Sequence, residues 1–250
     1  MMNITPVVKQ LLIINIIFFI GAEFVGPAAF DLLAMYYPEH PKFQYWQIIS
    51  HMFMHGGLMH LAFNMFALYS FGSTLEHFWG GKRFLFFYIS CGLGSALLHT
   101  GVNYFVFDSA VQTLMANGIP RSEIIEALSQ GKYGVIWAEY LTPSQLQGMI
   151  DAFRIPVVGA SGAIYGLLVA FAFMYPNAEL ALLFIPIPIK AKYFVSAILL
   201  LDLFLGLKGD SIFGSGGTGV AHFAHIGGAL IGFIMMWYWK KNQFDNHRWN

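Results

Sequence analysis

Charge is scarce in this sequence. Only 10% of its 250 residues are Asp, Glu, Lys or Arg, and 57% are hydrophobic. Soluble domains carry about 25% charged residues, so this chain could not cover a surface facing water on all sides. The mean hydropathy of +0.61 says the same. The 13 basic and 13 acidic residues cancel, and no strongly basic face points to nucleic acid. Cysteine is rarer still: the lone Cys91 can form no internal disulfide and says nothing about redox compartment. Sequence repeats and low-complexity tracts are missing too. Aromatic residues, by contrast, are plentiful. The 25 Phe, 12 Tyr and 6 Trp suit lipid contact and interfacial belts.

A helical membrane bundle fits this composition. A span needs roughly 20 largely apolar residues, and six such stretches read at about 8–28, 57–78, 83–105, 159–176, 191–207 and 220–240. The first could pass for a signal peptide, with Lys9 ahead of an apolar core and Gly21-Ala22 behind it. A spanning helix is favoured because further spans follow. "DLLAMYYPEHPKFQYWQIIS", between the first two spans, reads as a structured interfacial segment. Residues 106–155 change composition. "RSEIIEALSQ" and "TPSQLQGMIDAF" read as short amphipathic helices capped by Ser122 and Thr142, in an extramembrane insert within a single membrane domain spanning 1–250. Lys82, Arg83, Lys190, Lys192, Lys240, Lys241 and Arg248 fall on one side, which makes it cytoplasmic, with both termini there.

Several polar groups interrupt the apolar spans, and buried ionisable groups in a membrane are costly and functional candidates by default. His60 and Asn64 in "HLAFN" are spaced i, i+4 and share a helix face. They could equally cross-link helices by hydrogen bonds. His51 and His55 have a spacing that can hold a metal. No HExxH occurs and no carboxylate lies on their face, so no metal site is expected, and these two are read as lying in the wet interface. "VVGASGAIYG" puts Ser161 at the start of the short fourth span. Some 22 Å of helix then separates it from Pro176, less than a bilayer core of about 30 Å, so the helix start is submerged. In "AHFAHIGGALIGF", His225 is followed by Gly228 and Gly232 on one helix face. Gly162 and Gly166 form a second GxxxG pattern, and two such faces meeting would bring His225 beside Ser161. Tyr165, one turn after Ser161, could stack on the imidazole or be an ordinary core tyrosine.

Together these groups supply the parts of acyl-transfer chemistry. Ser161 would be the nucleophile and His225 the base that takes its proton. His60, Asn64 and the Ser161 backbone N–H would be donors to an oxyanion, with Gly159 freeing the backbone just before the serine. No aspartate is placed to orient His225, which predicts a dyad; Asp202 reads as structural or pore-lining. His222 is the lesser candidate for base.

The chain resembles the rhomboid intramembrane serine proteases through "HLAFN" in the second span, "GASG" opening the fourth and "AHIGGALIG" in the sixth. The resemblance runs from Trp46 to about Trp239. It implies an all-α, six-helix rhomboid bundle with a membrane-embedded first loop, a Ser161–His225 dyad, and an oxyanion site of His60, Asn64 and the Ser161 amide. It also implies single-pass or multi-pass transmembrane protein substrates in a lipid membrane, with no cofactor, metal or nucleic acid. Residues 209–219 would be a flexible cap, and the fifth helix would border substrate access. Two departures stand out. Trp46-Gln47 replaces a Trp-Arg pair common in the family, which removes the loop-bracing cation that the resemblance implies. The third-to-fourth connection is also far longer than in simple bacterial rhomboids. A non-catalytic, client-escorting rhomboid-like protein is the alternative reading. A histidine-lined transporter is a third, but its charges would run through the bilayer depth instead of clustering near one side. A compact layout without an obvious presequence suggests a bacterial inner membrane, with the site opening toward the periplasm.

Overall fold

The computed structural model describes residues 4–182, 185–208 and 220–243. The flexible cap expected at 209–219 lies outside the described residues, as does Arg248. Helix α1 (Pro6–Val25) starts with proline at its first position. Its free N–H groups are capped from a distance: the Glu76 carboxylate accepts from Val7 N at 2.9 Å and Val8 N at 2.8 Å, placing negative charge at a helix N-terminus. A short α2 (Pro27–Leu33) follows, and then α3 (Gln47–Ser50), which tightens into a 3₁₀ turn at His51–Phe53. The second expected span is one rod made of α4 (Leu58–Ala67), a π turn (Leu68–Gly72) and α5 (Ser73–Trp79).

Helix α6 (Gly81–Ala116) has 36 residues, or about 54 Å. It continues past the expected end near 105 because no Pro, Gly or helix-ending turn interrupts 106–116. The insert thus begins as the last turns of this helix. It continues with α7 (Arg121–Ser129), α8 (Trp137–Tyr140) and α9 (Pro143–Arg154). Thr142 caps α9 in a full capping box with Gln145. Ser122 does not cap α7: the extended Pro120 occupies that position, so the helix starts one residue before the serine. Helix α10 (Ser161–Met174) is the short span. The connection after it is a β-hairpin, β1 (Glu179–Leu182) paired antiparallel with β2 (Ile185–Lys190). This corrects the all-α expectation, since the apolar, proline-containing "IPIPIK" gives no helical period. Helices α11 (Ala191–Lys208) and α12 (Val220–Gln243) complete the described chain.

Two of these helices, α1 and α6, are long and apolar enough to cross a membrane, and α10 is apolar but shorter. Isoleucine-rich and aromatic faces of α1, α11 and α12 remain exposed, as at Ile17, Phe204 and Phe233. The main core is packed around α10, which lies against α6 and α12, with Leu167, Phe84 and Phe87 fully buried. A second core belongs to the insert: Trp137, Phe153 and Met149 close on Phe107 and Leu114 of α6.

That second core also grips the first loop. Tyr37 packs on Phe107 with ring centroids 4.9 Å apart, and His40 packs on Phe153 at 5.1 Å. Arg121 joins Glu39 at 2.6 Å and Asp108 at 2.8 Å. These two carboxylates hold the guanidinium charge above its already high ordinary pKa. Met35 and Val157 exchange both backbone hydrogen bonds.

The neutral Gln47 braces this loop, where loss of an arginine predicted a weaker brace. It is fully buried. Its Nε2 donates to Asp31 O at 3.1 Å and Lys42 O at 2.9 Å, and its Oε1 accepts from Gln44 N at 3.1 Å. Trp46 Nε1 adds a bond to Leu32 O at 2.8 Å. A buried amide can use both donors and acceptor this way, which a cation cannot. Gln47→Leu keeps the volume and orphans these groups, at about 1–3 kcal/mol for each left unpaired. Thermal unfolding in detergent should show a clear fall in melting temperature. Unchanged melting would mean that the loop is held by other contacts.

Candidate active site

The site forms where α10 begins. Gly159 has φ +126°, a backbone region that other residues rarely adopt. A side chain there would also strike the His60 ring, with a Cβ lying 2.9 Å from Cε1 and Nε2. The Gly159 N–H donates to His51 O at 2.9 Å, so the first loop fixes the approach to the helix. Ser161 is the first helical residue, and the N–H groups of a first turn have no acceptors within their own helix.

His225 reaches Ser161 from α12, with Nε2 2.9 Å from Oγ. Its ring stacks on Tyr165, centroids 4.1 Å apart and planes 10° from parallel. The close approach of the two helices comes from glycine. A Cβ on Gly228 would collide with the Gly162 carbonyl, and one on Gly232 would lie 2.8 Å from Gly166 Cα. The glycines of α10 also make room on a different side, where Ser95 and Cys91 of α6 fill the space beside Gly162 and Gly166. Three helices meet here, where the sequence suggested two.

His60 lies against Gly159 and edge-on to His55, centroids 5.0 Å apart. Asn64 is buried, and its Nδ2 donates to His60 O at 2.8 Å. One of its two amide hydrogens is thus engaged along its own helix, leaving the other for a ligand. His51 and His55 are both buried, contrary to the expectation of a wet interface. They lie on a 3₁₀ turn and the extended chain after it, so helical i, i+4 spacing does not pair them.

Sequence reasoning missed the surroundings of the base. Asp202, buried on α11, presents Oδ1 to His225 Nδ1 at 3.4 Å and forms a short contact with His222 Nδ1. The Tyr165 hydroxyl faces the same carboxylate. The side-chain donor atoms of Asp202, His222 and His225 all lie within 4.8 Å of one another. The signal available in sequence was Asp202 with Gly206, spaced i, i+4 like other helix-approach faces.

The chain is similar to known proteins. The family description "Rhomboid domain" matches residues 42–242. The chain is 24% identical over 195 residues to Rhomboid protein 1, mitochondrial, of Saccharomyces cerevisiae, covering 78% of this chain and 42% of that protein. It is 28% identical over 197 residues to the human presenilin-associated rhomboid-like protein, mitochondrial, covering 76% and 38%. With RHOMBOID-like protein 12, mitochondrial, of Arabidopsis thaliana it shares 27% identity over 198 residues, covering 79% and 47%. The chain therefore spans less than half the length of these relatives.

Proposed function

Because the chain belongs to the rhomboid family of membrane proteins, we propose that it is an intramembrane serine endopeptidase that cuts transmembrane protein substrates. The observation that carries this reading is the 2.9 Å approach of His225 Nε2 to Ser161 Oγ at the start of α10. In the proposed reaction His225 takes the Ser161 proton as Oγ attacks a peptide carbonyl. The carbonyl oxygen becomes negative and is met by the Ser161 N–H, the free Asn64 amide hydrogen and His60. His225 then returns the proton to the leaving amine, and water repeats the sequence on the acyl-enzyme. Tyr165 holds the imidazole plane. A substrate helix must unwind to expose its carbonyl, so helix-weak segments with small residues are the expected targets.

The same proposal includes six spans formed by α1, α4–α5, α6, α10, α11 and α12, in one membrane domain. Lys82, Arg83, Lys190 and Lys192 mark the cytoplasmic side, and Ser161 opens toward the other. The relatives are mitochondrial by name, so the expectation of a bacterial inner membrane draws no support from them. A fluorophosphonate probe tests the chemistry directly: peptide mapping should find Ser161 modified in folded protein. A probe that labels nothing, at concentrations that saturate a serine hydrolase, would sink the reading.

Residues 106–155 are proposed as an accessory element that steadies the first loop through Tyr37, His40 and Glu39. Deleting 110–152 uncovers Phe107 and Phe153, and cleavage should slow about tenfold or more as the site loses its alignment. Wild-type rates on every substrate tested would remove this role.

A further inference from the structure

A serine–histidine pair leaves one question open: what holds the imidazole in the tautomer that can accept a proton at Nε2. A neutral imidazole donates from one nitrogen and accepts at the other. For Nε2 to take the serine proton, Nδ1 must carry a hydrogen. The group facing Nδ1 is the Asp202 carboxylate, 3.4 Å away. We infer that Asp202 is the positioning residue for His225, which makes this site a Ser161–His225–Asp202 triad where the family resemblance implies a dyad. The inference rests on the protease reading proposed above.

Three observations support it. First, Asp202 is buried on α11, one of the proposed spans, where a carboxylate is costly and needs a compensating partner. Its Oδ1 is shared by the Nδ1 atoms of both His222 and His225, while Oδ2 has no hydrogen-bond partner among the described residues. The carboxylate is therefore turned toward the imidazole pair and the Tyr165 hydroxyl. Second, α11 is brought against α12 at this level by Gly206, one turn after Asp202. A Cβ there would lie 3.2 Å from Phe223 and 3.3 Å from His222 Cβ. Third, His222 anchors Oδ1, and Tyr165 both stacks on His225 and faces Asp202. The carboxylate and the ring are thus oriented by shared neighbours. The 3.4 Å separation is longer than an ordinary N–H···O bond. Such contacts tighten when a substrate binds, and the attraction strengthens once proton transfer makes His225 cationic in a low-dielectric site.

A simpler role is available: Asp202 could tie α11 to α12 through His222 alone. The two roles separate experimentally. Asp202→Asn preserves size and a hydrogen bond to His222. Turnover would be measured in liposomes, with active sites counted by the end point of fluorophosphonate labelling. The expected result is a kcat per labelled site lowered by about 10²–10⁴-fold, with KM and melting temperature near wild type. His222→Asn should keep kcat within about tenfold, since it touches the carboxylate and not the base. A kcat per labelled site within about threefold of wild type in Asp202→Asn would overturn the inference. So would equal losses in both variants with matching falls in melting temperature. A second measurement needs no variant at the aspartate. Nitrogen-15 NMR of histidine-labelled protein in detergent, assigned with His225→Ala, should show the His225 hydrogen on Nδ1. A hydrogen on Nε2 in the resting protein overturns the inference even if Asp202→Asn fails to fold. If wild type and Ser161→Ala are equally active, the protease reading fails instead, and the NMR still reports on Asp202.

Discussion

Ser161→Ala is expected to cleave no substrate above background, and His225→Ala to do the same. Each single change should cost about 10³–10⁶-fold in kcat, and the double variant no more than either alone, because the two groups act as a unit. In Ser161→Ala the fold should be unaffected. Ser161 Oγ bonds to His225, and losing that bond removes no packing atom from the core. A melting temperature unchanged within a degree or two, with activity gone, separates chemistry from stability. His222→Ala should retain most activity by comparison, since its ring faces Asp202 and not the serine. Equal cleavage by wild type and both variants would move the chain to the non-catalytic, client-binding class. A dead His222→Ala beside an active His225→Ala would reassign the base.

Gly228→Ala should be damaging without touching a reacting atom. A methyl there collides with the Gly162 carbonyl, which is backbone and cannot rotate away. The helices must part, or α12 must slide. Overpacking of this kind costs about 1–3 kcal/mol or more. The larger effect falls on rate. Gly162 follows Ser161 directly, and His225 lies one turn before Gly228. A shift of about 1 Å between α10 and α12 lengthens the Ser161–His225 contact and should lower turnover about 10²-fold. Thermal unfolding and single-turnover cleavage on the same preparation would check both. A variant with wild-type kcat would show that the two helices can adjust without moving the site.

The helices were legible because their apolar runs are long and their boundaries carry Pro, Gly or charge. The end of α6 and the hairpin at 179–190 were not. Composition marks where a chain leaves lipid, which is a different matter from where its hydrogen-bonded helix stops, and α6 runs on through the change. The proline-rich β2 has too few residues for a period to emerge. At the site, the meeting of Ser161 and His225 was readable because each sits within a few residues of the glycines that pack their helices together. Asp202 was not, since its partners lie 20 and 23 residues away on another helix, and only the packing of α11 on α12 joins them. Gln47 failed for a related reason: its worth lies in the carbonyls of residues 31, 32 and 42, which side-chain identity alone does not reveal.

The position of Asp202 has a mechanical consequence. The carboxylate rides on α11, whose outward face is apolar and exposed at Leu200, Phe204 and Leu207, while the serine and the base ride on helices of the packed core. If clients enter past α11, an outward swing of that helix would carry the carboxylate off with it and leave the base without its proposed guide. Admission and cutting would then be interlocked. The blade would be set only when the door had closed again, and a client wedged in the doorway would be held uncut.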